Sequence, residues 1–414
     1  MSTRRRTSIV TITAAAAAGT VTFLAQYATG QGAVAATYGP ALHVPHRAVI
    51  TIDGRGWGHG HGLSQYGAEG AARKGRTARQ IVHFYYPHTH SAHVKGRVKV
   101  LITADTDGDT TVITRPGLRV RDLRNGSTRT LPTSGKAGRA SRWRLSSGPS
   151  GTTRLSYRTG AWHLWKRLDG DGEFRAPGPI RLVVGSHDVT YRGTLQSRTP
   201  ATGPAGHRVT VNKVRLDDYV RGVIPREMPA SWHRAALRAQ AIAARTYASF
   251  EERNSTNRVW QLCDTSACQV YGGMSAEASS TNAAVTATAG RVLVHGGLPA
   301  FTQFSASNGG WTADGGEPYL VAERDPYDGW PGNPVHTWTT SVRSRTIEKA
   351  WPALGDLESM RVTGRDGNGR WGGRVLTLNL RGSKGSVKGL SGDTFRSVLG
   401  LRSTWFDLAK ATAR

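Results

Sequence analysis

An α+β protein is what this sequence predicts, and three observations carry the prediction. Between residues 90 and 215, short alternating runs such as "RVKVLITA", "TRLSYR", "IRLVVG" and "HRVTVNKVRL" are separated by Gly, Asp, Ser and Pro. That is the pattern of half-buried strands joined by turns. From Leu216 the spacing turns helical, with Leu237, Ala241, Ala244 and Ala248 sharing one face. A block of strands followed by helices and a mixed tail, without regular β-α alternation, argues for α+β.

Taken in order, the chain divides into four parts. Residues 1–35 read as a signal peptide, with arginines at 4–6, an apolar stretch from Ile9 to Ala25, and Ala33-Val34-Ala35 fitting an A-x-A cleavage site. Sec and twin-arginine export are both open. An uncleaved N-terminal anchor is the alternative, because the apolar run approaches spanning length. The expected location is extracytoplasmic, secreted or wall-associated. Residues 36–89 hold the Gly-rich "GRGWGHGHGLSQYGAEGAARKGRTARQIVHFYYPHT". Helices are expected there from Ser64 to Arg73 and over "TARQIVHFYY", with Thr77 as N-cap.

Residues 90–215 are the β-rich section, expected to hold about eight strands, and "DGDGEF" at 169–174 has hairpin-turn chemistry. Residues 216–414 form a helical and mixed core. It begins with a long helix capped by Ser231 or a neighbour. A helix over Ser280 to Ala289 follows, ended by Gly290. Strands are expected in "RVLVHGG", in "AFTQFSAS", near Met360 to Val362 and over Arg374 to Leu380. The loop "NGGWTADGG" lies between them, and a last helix spans Gly392 to Val398.

Composition bounds the partners. Among 414 residues, 55 Lys and Arg against 28 Asp and Glu give a formal net charge of +27. Such a field favours nucleic acid, anionic lipid surfaces or acidic wall polymers. The export signal argues against nucleic acid and leaves anionic wall polymers. The plain alternative is a solvated basic surface. Cys263 and Cys268, in "CDTSAC", are the two cysteines of the chain. Outside the cytoplasm such a pair reads as a disulfide. Zinc at this pair is the lesser alternative, since zinc takes four ligands and no histidine lies between Cys263 and His295.

Three stretches could carry chemistry. Glu227 lies in "REMPASWHRAALRAQAIAARTY", and Pro225 and Pro229 restrict the backbone on either side of it. It is either a catalytic acid or a residue favoured by the positive end of the following helix. Pairing with Arg221 or Arg226 would lower its pKa, and burial against Met228 and Trp232 would raise it. A general acid at neutral pH needs burial to win. In "FSASNGGWTADGG", Ser305, Ser307, Asn308 and Thr312 suit a hydrogen-bonding wall for a sugar, or a plain turn. In "GWGHGHGLSQYGA", His59 and His61 stand two apart, which suits structural packing better than metal ligation. Trp57, Tyr66, Tyr271 and Trp311 could stack on sugar rings or fill the core.

The runs "VNKVRLDDYVRGVIPREMPASWHRAALRAQAIAARTYA", "CDTSACQVYGG", "FTQFSASNGGWT" and "YGAEGAARKGRTARQIVHFYYPHT" resemble the SpoIID/LytB family, which comprises stage II sporulation protein D and the amidase enhancer LytB. The resemblance implies an exported protein acting on peptidoglycan. Sporulation members are lytic transglycosylases that cut glycan strands stripped of peptide by a partner amidase. Their catalytic glutamate corresponds to Glu227. Some sporulation members also have a His/Cys metal site near the position of Cys263 and Cys268; the matching histidines are missing here, so no cofactor is expected. Substrate-binding candidates are His59 and Gln65 in the Gly-rich segment, with Gln240, Arg245, Tyr247, Gln269, Tyr271, Ser305, Ser307 and Asn308. The "GHGHGLSQYGA…YYP" segment closes the domain in sporulation members and opens it here, a permuted order compatible with termini that lie close together.

In a lytic transglycosylase one carboxylate suffices, whereas a hydrolase wants a second at a defined distance. Asp217, Asp218, Asp325 and Asp328 are candidates for that second group. LytB-type members are described as modifiers of an amidase. A non-catalytic wall-binding enhancer of an N-acetylmuramoyl-L-alanine amidase is therefore the alternative to an enzyme.

Overall fold

The structure, a computed structural model, describes residues 39–413. The expected signal peptide at 1–35 lies outside the described residues. Among the described residues the helices are α1 (Gln65–Arg73), α2 (Ala78–Tyr85), α3 (Gly135–Gly138), α4 (Leu216–Glu227), α5 (Arg234–Asn254), α6 (Ser279–Ala287), α7 (Ser344–Ala350) and α8 (Gly392–Leu399). They stand beside several largely antiparallel sheets, so the expected α+β class holds. No helix among the described residues is long and apolar enough to cross a membrane.

Helix starts follow local chemistry. Ser64 caps α1 by accepting from the Gly67 N–H, and Thr77 forms a full capping box with Gln80 on α2. Ser391 caps α8, which ends on Gly400 in the left-handed conformation. The long helix departs from expectation, since its start at Arg234 has no side-chain cap of its own. Instead Glu69 of α1, fully buried, accepts from the His233 N–H at 2.9 Å. A carboxylate there also suits the positive helix end.

The β-rich section holds thirteen described strands between residues 90 and 215, against the eight expected. Several, such as Thr128–Thr130 and Gly172–Arg175, have three or four residues and are too short to display a period. Two sheets share this section. The seven-stranded sheet runs in the order Leu262–Cys263, Arg97–Leu101, Val209–Arg215, Thr194–Arg198, Gly172–Arg175, Arg119–Asp122, Thr128–Thr130. The six-stranded sheet includes Ala161–Leu168, Thr153–Thr159, Arg142–Ser147 and Thr110–Ile113.

The "DGDGEF" turn is not a hairpin. It carries the chain from Ala161–Leu168 in one sheet to Gly172–Arg175 in the other. The buried Asp122 carboxylate holds this crossover by accepting from the Asp169 N–H at 2.6 Å.

Two hydrophobic clusters organise the molecule. The first joins both sheets to α1, α2, α4, α5 and α6. Leu237, Ala241, Ala244 and Ala248 are all fully buried on α5, and its small side chains let neighbouring helices come close. The second cluster joins residues from both ends of the described chain, with Val44, Ile50 and Ile52 against Trp338, Leu378, Phe395 and Phe406. Strand Val49–Arg55 lies between Thr337–Arg343 and Phe406–Thr412. Gly54 is required there, because a Cβ would sit 2.1 Å from the Trp338 indole.

Candidate active site

A cleft of about 460 Å³ opens between the two clusters. Each wall comes from a different element. Trp57 and His59 come from the Gly-rich loop, Gln65 from the start of α1, Glu227 from the end of α4 and Tyr247 from α5. The disulfide loop contributes Cys268, Val270 follows two residues on, residues 303–305 line another side, and α8 brings Arg396.

Glu227 is the last residue of α4. Met228 leaves the helix in extended conformation (φ −132°, ψ 144°), as the residue before Pro229 must. The position corrects the cap alternative. The acid stands at the negative end of α4 and not at the positive end of α5, so the helix field does not explain it.

The carboxylate has two partners. Oε1 accepts from the Val270 N–H at 2.8 Å and Oε2 from the Gln65 side-chain amide at 3.2 Å. Burial raises the Glu227 pKa, and these two hydrogen bonds oppose the rise. Neither arginine neutralises it. Arg221 turns to Asp218 and Thr286, and Arg226 is exposed.

The Gly-rich loop explains its own spacing. Gly56, Gly58, Gly60 and Gly62 all have positive φ, so the residues between them alternate. At Gly58 a Cβ would lie 2.5 Å from that of Ser305. The loop can pass the cleft wall only as glycine. Trp57 is 51% exposed and lies against the guanidinium of Arg402. His59 Nδ1 accepts from the His61 N–H, which leaves the proton of the neutral ring on Nε2. Burial, with the neighbouring His61 and Arg374, pushes the His59 pKa down to about 3, so the ring is neutral at ordinary pH.

Of the sequence candidates, the structure brings Glu227, His59, Gln65, Tyr247 and Ser305 to the cleft. Ser305 is 92% buried, and its hydroxyl has no protein partner among the described residues. Tyr247 stacks on Phe301 with ring centroids 5.6 Å apart.

The other candidates sit in the interior behind it. Arg245 is buried against Asp217, with further bonds to main-chain carbonyls. Gln269 bridges the Tyr219 hydroxyl and the Ala244 carbonyl, and the Tyr271 hydroxyl donates to Asn212. Gln240 is fully buried. Ser307 and Asn308 turn into a network around Asp325 and Asp328. Thr312 bonds Val321 and Glu323.

The four aspartates considered as second carboxylates are all engaged elsewhere. Asp217 holds Arg245, and Asp218 holds Arg215 and Arg221. Asp328 accepts from Ser64, Ser307 and Asn333 and pairs with His336 at 2.7 Å. Asp325 accepts from Tyr85 and Asn308, and burial beside Asp328 pushes its pKa up to about 6. Glu227 is the one carboxylate among the described residues lining the cleft.

Sequence reasoning missed Gln303, Arg396 and the Val270 N–H. Arg396 sits in "GDTFRSVLG", far from the acid in sequence, and a main-chain donor leaves no trace in side-chain composition. Cys263 and Cys268 form a disulfide, with Cα atoms 5.5 Å apart.

The SpoIID family, described as stage II sporulation protein, matches residues 205–295, which include Glu227 and the cysteine pair. The amidase enhancer of Bacillus subtilis (strain 168) is 37% identical over 161 residues, covering 35% of this chain and 21% of that protein. Stage II sporulation protein D of Bacillus amyloliquefaciens is 30% identical over 219 residues, covering 48% of this chain and 61% of that protein. The chain thus spans less than two thirds of each relative's length. These matches bear out the resemblance to the SpoIID/LytB family, with residues 205–295 matching its SpoIID model.

Proposed function

We propose that this protein acts outside the cytoplasm on peptidoglycan, cutting peptide-stripped glycan strands by lytic transglycosylation with Glu227 as acid and base. The observation that carries the reading is a half-buried carboxyl whose pKa desolvation raises, standing alone among the described acids at the wall of an open cleft. In the proposed reaction Glu227 gives its proton to the glycosidic oxygen as the C1–O bond breaks. The carboxylate then takes the proton of the muramyl 6-hydroxyl while O6 bonds to C1. The residue ends protonated and the product carries a 1,6-anhydro ring. No water is consumed, so no second carboxylate is needed to activate one.

The lone Ser305 hydroxyl and the exposed Trp57 face suit a sugar, one through a hydrogen bond and the other through stacking. The test is release of 1,6-anhydro products from glycan previously stripped of peptide by an amidase. A second reading, stimulation of a cell-wall amidase without catalysis, is favoured by the 37% identity to a protein named amidase enhancer. It requires that amidase stimulation survive loss of Glu227.

A further inference from the structure

We propose that the solvent face of the seven-stranded sheet is a second binding site, a groove for a linear polyol-phosphate polymer. The groove has a volume of about 440 Å³ and is lined by Arg97, Arg121, Arg175, Arg192, Lys213 and Arg215. Glu173 and Asp218 also line it, so the local balance is 6 − 2 = +4. It shares no residue with the Glu227 cleft.

Strand register builds the row of cations. Arg97 stands opposite Arg215, Lys213 opposite Thr194, and Arg121 opposite Glu173. The contributing residues cross five adjacent strands, which at ordinary strand spacing is about 19 Å. Like charges placed directly opposite each other destabilise a sheet. Protection of an exposed edge does not account for them, because the strands of Arg97, Lys213 and Thr194 lie inside the sheet.

The acids of the groove are already used. Glu173 accepts from Thr194 and Gln196 and lies 3.4 Å from Arg175. Asp218 is held by Arg215 and Arg221, and Arg192 is held by Glu277. The side chains of Arg97, Arg121 and Lys213 have no hydrogen bond or ion pair among the described residues. Three uncompensated cations therefore face one hollow.

The hollow continues in both directions. One neighbour shares Arg215 and Asp218 and adds Lys95, Arg221 and Asp217, the last already held by Arg245. The other shares Arg175 and Pro177 and adds Arg119. A linear polyanion fits this track better than a single small anion.

The uncharged lining excludes bases as the recognised feature. It consists of Ala176, Pro177, Gly178, Pro179, Gly193 and Thr194, with no aromatic ring. Single-stranded nucleic acid is held by stacking on aromatics as well as by charge. A flexible chain recognised through its phosphodiesters alone matches the lining. Helix α4 begins at this groove and ends at Glu227, and the nine helical rises from Asp218 to Glu227 span about 14 Å. A bound polymer would hold the protein beside the glycan without entering the cleft.

The test is binding of the full chain to purified poly(glycerol phosphate) across a salt series. It does not depend on any activity of Glu227. The groove variant carries Arg97→Glu, Arg121→Glu and Lys213→Glu. A control with the same charge change carries Arg361→Glu, Lys384→Glu and Lys388→Glu, all exposed outside the groove. Melting curves establish that both fold.

Three lost phosphate contacts should reduce the slope of log affinity against log salt by about 2 and weaken binding at least tenfold or so. The control should lose far less. Equal losses in both variants would overturn the proposal in favour of diffuse attraction. Poly(dT) or poly-L-glutamate bound at least as tightly through the same three residues would overturn the assignment to a polyol phosphate.

Discussion

Burial lifts the Glu227 pKa, while the Val270 N–H and the Gln65 amide pull it down. In the proposed mechanism the acid is active when protonated, so turnover should fall as pH rises through its pKa. Gln65→Leu removes one donor to the charged form, so the descending limb of the pH–rate profile should move to higher pH. A limb that stays put would take Gln65 out of the site. His59 does not confuse the profile, since its ring titrates near 3.

The same shift has a stability sign. A carboxyl whose folded pKa is raised contributes stability that is complete below its unfolded pKa and lost as pH rises through the folded value. Glu227→Gln carries no such loss. Its melting temperature relative to wild type should therefore climb as pH rises through that window, and a constant offset would contradict the burial account. Pro225 and Pro229 made the stiff backbone around Glu227 legible in sequence. Ser305 and Ser307 were indistinguishable there, because the acid that claims Ser307 lies 21 residues away.

At the scale of elements, two loops fix the cleft. Val270, whose N–H donates to the acid, follows the Cys263–Cys268 loop by two residues, so the disulfide anchors the segment that presents this donor. Replacing both cysteines by serine should cost about 2 kcal/mol, as loop-closure entropy for so short a loop predicts. Turnover should drop with it, read by kcat on the same substrate, whereas unchanged turnover would make the loop a mere staple. The Asp328 carboxylate ties the start of α1 to the 307–310 turn and to His336. Asp328→Ala strands those donors in the interior and should cost about 3–5 kcal/mol by denaturant unfolding. Capped helices were readable in sequence because a cap is local. The buried Glu69 at the start of α5 was not, because its partner lies 164 residues away.

At the scale of the molecule, the permuted order implied by the resemblance is compatible with how the described chain closes. Strand Val49–Arg55 completes a sheet with Phe406–Thr412, so the two ends of the described chain meet. Removing residues 406–414 deletes the buried Phe406 and leaves the central strand half-paired. Hydrogen exchange should then rise through residues 42–55 and 337–405, while α5 stays protected in the first cluster. The strand-then-helix order and the helical period of α5 made the class and the first cluster readable. The second cluster was hidden, because its strands come from both ends of the chain and each shows only its own alternation.

The central claim is that Glu227 is a proton donor and acceptor. Wild type and Glu227→Gln should be incubated with glycan strands stripped of peptide and the products resolved by mass. Wild type should release fragments ending in 1,6-anhydro sugar. The variant should keep its fold and its glycan binding and lose on the order of a hundred- to ten-thousand-fold in rate. Reducing-end products without the anhydro ring, or equal turnover by the variant, would contradict the account.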